Sequence, residues 1–364
     1  MNPVSFLMRE DLNALINALK RAGYRCMGPQ AKDGAIVYAE LNESGLLPRG
    51  MTDKQSPCEY RLEATDSPQW FNWANGPQAL KPLTFTPREI LWRSSRNSDG
   101  RLDFSSHTVE TSPLAFIGAR ACDLAALQLQ RQHFLDAQRD AAFESHCDQL
   151  FIVAVHCHHP AATCFCASTG DGPEAKSGFD IALHELDEGF LMQTGSDAGE
   201  RIAAQLPLTE ADVNQLEHAE QALLDAAKAQ QRSLPPGSLK EALFARLDHS
   251  RWDDIAERCL SCGNCTAVCP TCFCHRESDE AALDGQHSEH IREWDSCFSS
   301  GHSYIHGIVI RSDTRSRYRQ WLTHKLGGWH DQYGRSGCVG CGRCISWCPV
   351  GIDMTEEVYG ILGD

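Results

Sequence analysis

Apolar residues recur at helical spacing near the start of the chain. Leu12, Leu15, Ile16 and Leu19 share one face of residues 9–22, and Gly23 follows as a stop. Ala35 to Leu41 reads as a short strand. Residues 42–85 lose periodicity and are rich in Pro, Gly, Asn and Ser around Trp70, Phe71 and Trp73, so an irregular segment is expected there. Thr86-Pro87-Arg88-Glu89 then resembles a helix start. Two continuous apolar runs, Leu114 to Ile117 and Leu150 to Val155, predict buried strands, with a helix over Leu124 to Phe134 between them. Ile181 to Leu186 and Gly189 to Thr194 predict a hairpin around Asp187-Glu188. Residues 209–231 carry the clearest helical pattern. Thr209 and Asp212 make an approximate capping box, and Val213, Leu216, Leu223 and Leu224 mark the apolar side. Ser233-Leu-Pro-Pro-Gly-Ser238 breaks that helix.

Cysteines punctuate this pattern. Cys259-x2-Cys262-x2-Cys265-x3-Cys269-Pro270 recurs as Cys338-x2-Cys341-x2-Cys344-x3-Cys348-Pro349. This is the run that bacterial ferredoxins use for [4Fe–4S] clusters, in which the fourth Cys ligates the other cluster. The expected sets are therefore Cys259, Cys262, Cys265 and Cys348 for one cube, and Cys338, Cys341, Cys344 and Cys269 for the second. Paired zinc knots use wider spacings and do not need three Cys three residues apart. The fold class expected is α+β. A mixed α/β N-terminal domain over residues 1–245 precedes a two-cluster ferredoxin-like, mainly helical domain over 246–364, with an insertion at 270–337.

Ten further cysteines lie outside these runs. Cys26, Cys58 and Cys147 look isolated and read as small buried hydrophobes or surface thiols. Cys164-Phe165-Cys166 recurs as Cys272-Phe273-Cys274, each preceded by Thr. Cys157 lies close by, and Cys122 ends the neighbouring apolar run. Cys122, Cys157, Cys164 and Cys166 are thus candidates for a third [4Fe–4S] cluster, the alternative being a reactive or zinc-binding loop. His156, His158 and His159 are expected on solvent. Cys272, Cys274 and Cys297 are expected to pack near the clusters, or to donate in place of Cys269. Arg311, Arg315, Arg317, Arg319 and Lys325 surround Asp313 as a solvated helix face or a docking surface for an acidic partner.

The net charge of −16 argues against nucleic acid as a partner. Eighteen cysteines at metal-type spacing in a chain of 364 residues fit a reducing compartment better than a disulfide scaffold. The first residues lack a basic start followed by an apolar stretch, and no run is long enough to span a membrane, so a cytoplasmic protein is expected. Neither G-x-G-x-x-G after a strand nor G-x-x-x-x-G-K-[ST] occurs, and no catalytic constellation stands out.

CLSCGNCTAVCPTCFCH at 259–275, WDSC at 294–297, RYRQWLTHKL at 317–326 and GCVGCGRCISWCPVGID at 337–353 closely resemble the β subunits of cytoplasmic sulfhydrogenase-type NiFe hydrogenases. The A subunit of anaerobic sulfite reductase is similar. GARACDLAAL at 118–127 and TCFCASTGDGP at 163–173 look like the same family. Relatives typically carry Arg-Pro where this chain has Arg120-Ala121, and Ser-Met-Gly-Thr-Gly where it has Ser168-Thr-Gly-Asp-Gly172, which bears on the geometry of the third cysteine group and not on its ligands. The resemblance implies an electron-transfer subunit of an NAD(P)-linked oxidoreductase complex, not its catalytic chain. The implied partners are a flavoprotein NAD(P)H-reductase subunit carrying FAD and the small and large NiFe hydrogenase subunits, or a siroheme sulfite reductase subunit. A redox-sensing iron–sulfur protein is the alternative of a different class.

Overall fold

Leu12, Leu15, Ile16, Ala18 and Leu19 are all buried, and they seat the helix Leu12–Arg21 on a mixed sheet. The computed structural model describes residues 4–106, 112–136 and 138–363. The sheet has eight strands, in the order Thr209–Glu210, Ser5–Met8, Gly189–Thr194, Ile181–Glu185, Leu150–Val155, Leu114–Ala119, Arg25–Lys32 and Ala35–Glu40. The four strands at 181–185, 150–155, 114–119 and 25–32 run parallel, and the hairpin at 181–194 is antiparallel as expected. Strands covered on both faces read as unbroken apolar runs, which is why 114–117 and 150–155 carry no polar alternation. Phe151, Val153 and Val155 join the core under the first helix, while Ile152 and Ala154 join the opposite core with Phe116 and Phe143.

The segment 42–85 is more ordered than its composition suggests. It contains the hairpin Met51–Ser56/Glu59–Ala64 and a short helix, Lys81–Thr84. Phe71 and Trp73 are fully buried, held because the Glu185 carboxylate accepts hydrogen bonds from Trp70 N and Phe71 N at 2.7 and 2.8 Å. Thr86-Pro87 leads into a strand, Arg88–Arg96, not a helix. Pairing decides this: the strand lies beside His287–Trp294 in a second sheet, ordered His275–Ala281, His287–Trp294, Arg88–Arg96, Leu102–Ser106, and cross-strand partners override the local proline signal. Buried Glu89 is satisfied there by Arg292 at 2.6 Å and His146 at 2.8 Å. The insertion at 270–337 therefore supplies a long hairpin, so the C-terminal part mixes helices and strands where a mainly helical one was expected.

The helix expected over 209–231 spans Val213–Lys228, with Asp212 as N-cap and Gln215 completing the box; Thr209 lies in the preceding strand. Its buried residues are Ala219 and Ala226, whereas Val213, Leu216 and Leu224 are exposed, contrary to the expected apolar side. Among the described residues no helix is long and apolar enough to cross a membrane.

Candidate metal centre

The first ferredoxin loop leaves the helix Arg251–Arg258 at Cys259, turns through Ser261 (φ 50°) and Gly263 (φ 75°), and passes through one short helix to Cys269. The second repeats the path with Gly340 (φ 63°), Gly342 (φ 70°) and the helix Arg343–Ser346 before Cys348. Positive φ lets each loop curl around a point, and the Cys-Pro ends cross between loops. Cys348 lies beside Cys259 and Cys265, and Cys269 lies beside Cys338, Cys341 and Cys344. Cys259, Cys262, Cys265 and Cys348 line a cavity of about 30 Å³. Burial pushes the thiols of Cys265 and Cys344 well above their ordinary range, and that of Cys338 up to about 12. Thiolates in such a place need a cation, which iron provides. The Tyr318 hydroxyl, buried with no partner beside Cys265 and Cys344, is a donor left over for an acceptor such as a cluster sulfide.

Cys122 opens the helix Ala121–Arg131 at the end of one central strand, and Cys157 follows the end of the next. The structure brings Cys122 beside Cys166, and Cys164 beside Cys166 and Cys157. The group sits against the second ferredoxin loop, because both Cys122 and Cys166 neighbour Cys341. Backbones meet there: Phe165 N donates to Gly340 O at 2.8 Å, and Thr163 and Ser346 share a hydroxyl bond at 2.8 Å. A Cβ on Gly340 would fall 2.5 Å from Cys166 N, and one on Gly342 would fall 2.4 Å from Thr163 O, so only glycine permits the approach.

Buried charge clamps the same junction. Asp123 and Arg343, each almost wholly buried, pair at 2.5 Å. The second Asp123 oxygen accepts from Asn75 Nδ2 at 2.6 Å and from Arg120 N at 3.1 Å. Arg120 donates to the carbonyls of Phe71, Trp73 and His156, while the Nε atoms of Arg120 and Arg343 are buried without partners. Cationic orphan donors beside neutral buried thiols fit an anionic cluster. Sequence reasoning missed Asp123, Arg343, Arg120 and Lys325 as parts of the site. Arg343 immediately precedes Cys344, but nothing local announces its partner 220 residues away.

The histidines differ from expectation. His156 and His158 are drawn inward, and burial lowers each to about 3. They share an open cavity region with His184, which is 4% exposed and has both ring nitrogens unpartnered. Burial, with His218 nearby, lowers His184 to about 4. A histidine held neutral contributes stability that is complete above the unfolded value of about 6.5 and is lost as pH falls through 4. His184→Phe is expected to flatten the acid side of the stability curve by up to about 3 kcal/mol, read as the difference in melting between pH 7 and pH 4.5. Identical pH slopes for both proteins would reject it.

Of the basic group at 311–325, Lys325 is buried and the arginines are half-buried, so the group is not a freely solvated face. Arg317 donates to the carbonyls of Arg311, Phe298 and Ser312, Arg315 pairs with Asp253 at 2.8 Å, and Arg319 donates to Leu247 O. They tie the helix Thr314–Thr323 to its neighbouring loops. Arg317→Ala is expected to cost roughly 1–3 kcal/mol, because three carbonyls lose their charged donor. A melting temperature equal to wild type would contradict this. Cys26 and Cys147 are buried as expected, and Cys58 is exposed with its thiol 3.1 Å from Pro349 O.

The 4Fe-4S dicluster domain family matches residues 258–352, which include both ferredoxin runs. Sulfhydrogenase 2 subunit beta of Pyrococcus furiosus is 31% identical over 305 residues, covering 82% of this chain and 87% of the relative. No solved structure matches the chain. With both ferredoxin runs inside the matched dicluster domain and this likeness running through most of its length, the chain belongs to the sulfhydrogenase β-subunit family of iron–sulfur proteins.

Proposed function

We propose that the chain is the electron-transfer subunit of a NiFe hydrogenase complex, standing between a flavoprotein NAD(P)H-reductase subunit and the hydrogenase small and large subunits. The observation that carries this reading is the adjacency of three cysteine groups. Cys259, Cys262, Cys265 and Cys348 adjoin Cys338, Cys341, Cys344 and Cys269, and these adjoin Cys122, Cys157, Cys164 and Cys166. Each [4Fe–4S] cube, when bound, takes up and gives back one electron at a time. The protein's part is to ligate through these twelve thiols, to exclude water by burial, and to set positive charge from Arg120, Arg343 and Lys325 nearby. The division proposed is residues 1–245 around the third group and residues 246–364 around the two crossed sets. The missing dinucleotide fingerprint supports a nicotinamide site on the partner, and the likeness to the sulfhydrogenase subunit supports FAD there as well. A cytoplasmic setting suits eighteen free thiols.

The test is the metal and cofactor content of the native complex purified through this chain. Nickel with flavin supports the reading. Siroheme without nickel would assign the chain to a sulfite-reductase complex, and reversible cluster loss with neither partner would make it a sensor. Crossed ligation predicts that an iron-loaded structure places Cys348 with Cys259 and Cys269 with Cys338; Cys269 on the cube of Cys259 would reject it.

A further inference from the structure

Beside the second ferredoxin set lies another cavity, of about 110 Å³, larger than the one at Cys259. Cys272, Cys274, Cys297 and His302 line it, and Cys272 and Cys297 are buried. Cys274 is within hydrogen-bond reach of both Cys297 and His302. His302 Nδ1 lies 3.2 Å from Asp295 Oδ2, and Asp295 is fixed in turn by Ser299 Oγ at 2.6 Å. A carboxylate holding the far nitrogen of an imidazole is how ligating histidines are oriented.

The surroundings want an anion. Lys325, buried, also lines the cavity, and Lys81, buried, has Cys269, Cys272 and Cys274 as neighbours. Lys325 Nζ donates to Thr271 Oγ1 at 2.8 Å, Lys81 Nζ to Cys269 O at 3.3 Å, and neither meets a carboxylate among the described residues. Lys325 stands between the two sets, with Cys269 and Cys272 as its nearest thiols, and Lys81 has Cys272 first among its neighbours, so both ammonium groups favour anionic groups on the Cys272 side as well as at the second ferredoxin set. Three more donors of the lining, Arg311 Nε, Trp321 Nε1 and Trp329 Nε1, are buried with no partner among the described residues. One cavity thus gathers three thiols, an oriented imidazole, buried cations and orphan N–H groups.

We propose that Cys272, Cys274, Cys297 and His302 hold a further [4Fe–4S] cluster, separate from the three cysteine groups above. Soft thiolates with one imidazole suit iron–sulfur or zinc. Among the described residues no three His, Cys, Asp or Glu side chains converge closely enough to hold a single ion. N–H groups of arginine and indole suit the sulfides of a cube, which a lone ion would not offer.

The full chain, prepared anaerobically, decides it. Each cube holds about four irons, so Cys272→Ala/Cys297→Ala is expected to lower iron and labile sulfide by about four each per chain. The Cys157→Ala/Cys166→Ala variant, removing four others, separates this site from the third group. In wild type, pulsed EPR of the reduced protein is expected to show strong nitrogen coupling to one cluster. His302→Cys is expected to keep the iron and lose that coupling, a result that survives even if the double variant folds poorly. Unchanged iron in the double variant, absence of nitrogen coupling in wild type, or loss of one zinc in place of four irons would each overturn the proposal.

Discussion

Replacing Cys157 and Cys166 by Ala is expected to remove about four irons per chain and to stop electron transfer through the complex, while both ferredoxin-type signals persist. The argument starts from packing. The two thiols come from the end of a central strand and from the loop Thr163–Cys166, and burial pushes the Cys166 thiol up to about 12. A thiol so placed has little tendency to ionise alone, so its thiolate belongs to a metal-bound state. Alanine keeps the small apolar volume, so the strand and the Phe165–Gly340 contact should survive. Crossing the complex would then require a jump past an empty site. Iron analysis, EPR and turnover with the flavoprotein and catalytic partners supply three separate readings. An unchanged iron count would end the three-group reading, and lost iron with full turnover would remove this group from the electron path.

Asp123→Ala is expected to destabilise the protein by about 3–5 kcal/mol, the usual cost of stranding one member of a buried ion pair. Arg343 would keep its charge, as a guanidinium does at ordinary pH, and its burial would leave it no water to replace the carboxylate. Asn75 and Arg120 N would lose their acceptor as well. Asp123→Leu combined with Arg343→Met should recover much of the loss, because a pair replaced by apolar groups of like size leaves nothing uncompensated. Chemical denaturation of the iron-loaded protein measures both. A single variant within about 0.5 kcal/mol of wild type would show that the clamp is dispensable.

The cysteine spacing made the ferredoxin loops legible because a cube demands thiols at fixed chain distances, a local property. The parallel strands were legible for a similar reason, since burial on both faces leaves unbroken apolar runs at 114–117 and 150–155. The third group was visible only as a set of candidates. What joins it to the second ferredoxin loop is glycine backbone at 340 and 342 and an ion pair 220 residues apart in sequence, and neither leaves a periodic trace. The strand Arg88–Arg96 was misread as a helix start because its partner lies in the insertion. The helix Val213–Lys228 was found but its apolar side was misjudged, since it rests on Ala219 and Ala226. Lys81 escaped notice, and Lys325 was placed with the surface arginines although it is buried, because a buried lysine looks like any other until its surroundings are known.

The second sheet sets the order in which the molecule can be made. Arg93 waits for Glu289, 196 residues later, and Arg88 for Glu280. At ribosomal speeds of roughly 5–20 residues per second, that strand is exposed for about 10–40 s with an unpaired edge. Its partner hairpin emerges only after Cys274, between the two ferredoxin runs. The second run comes later still. On the proposed crossed ligation, iron loading of either set follows release of nearly the whole chain. A fragment cut at residue 246 would begin life without the strand that its insertion pairs with.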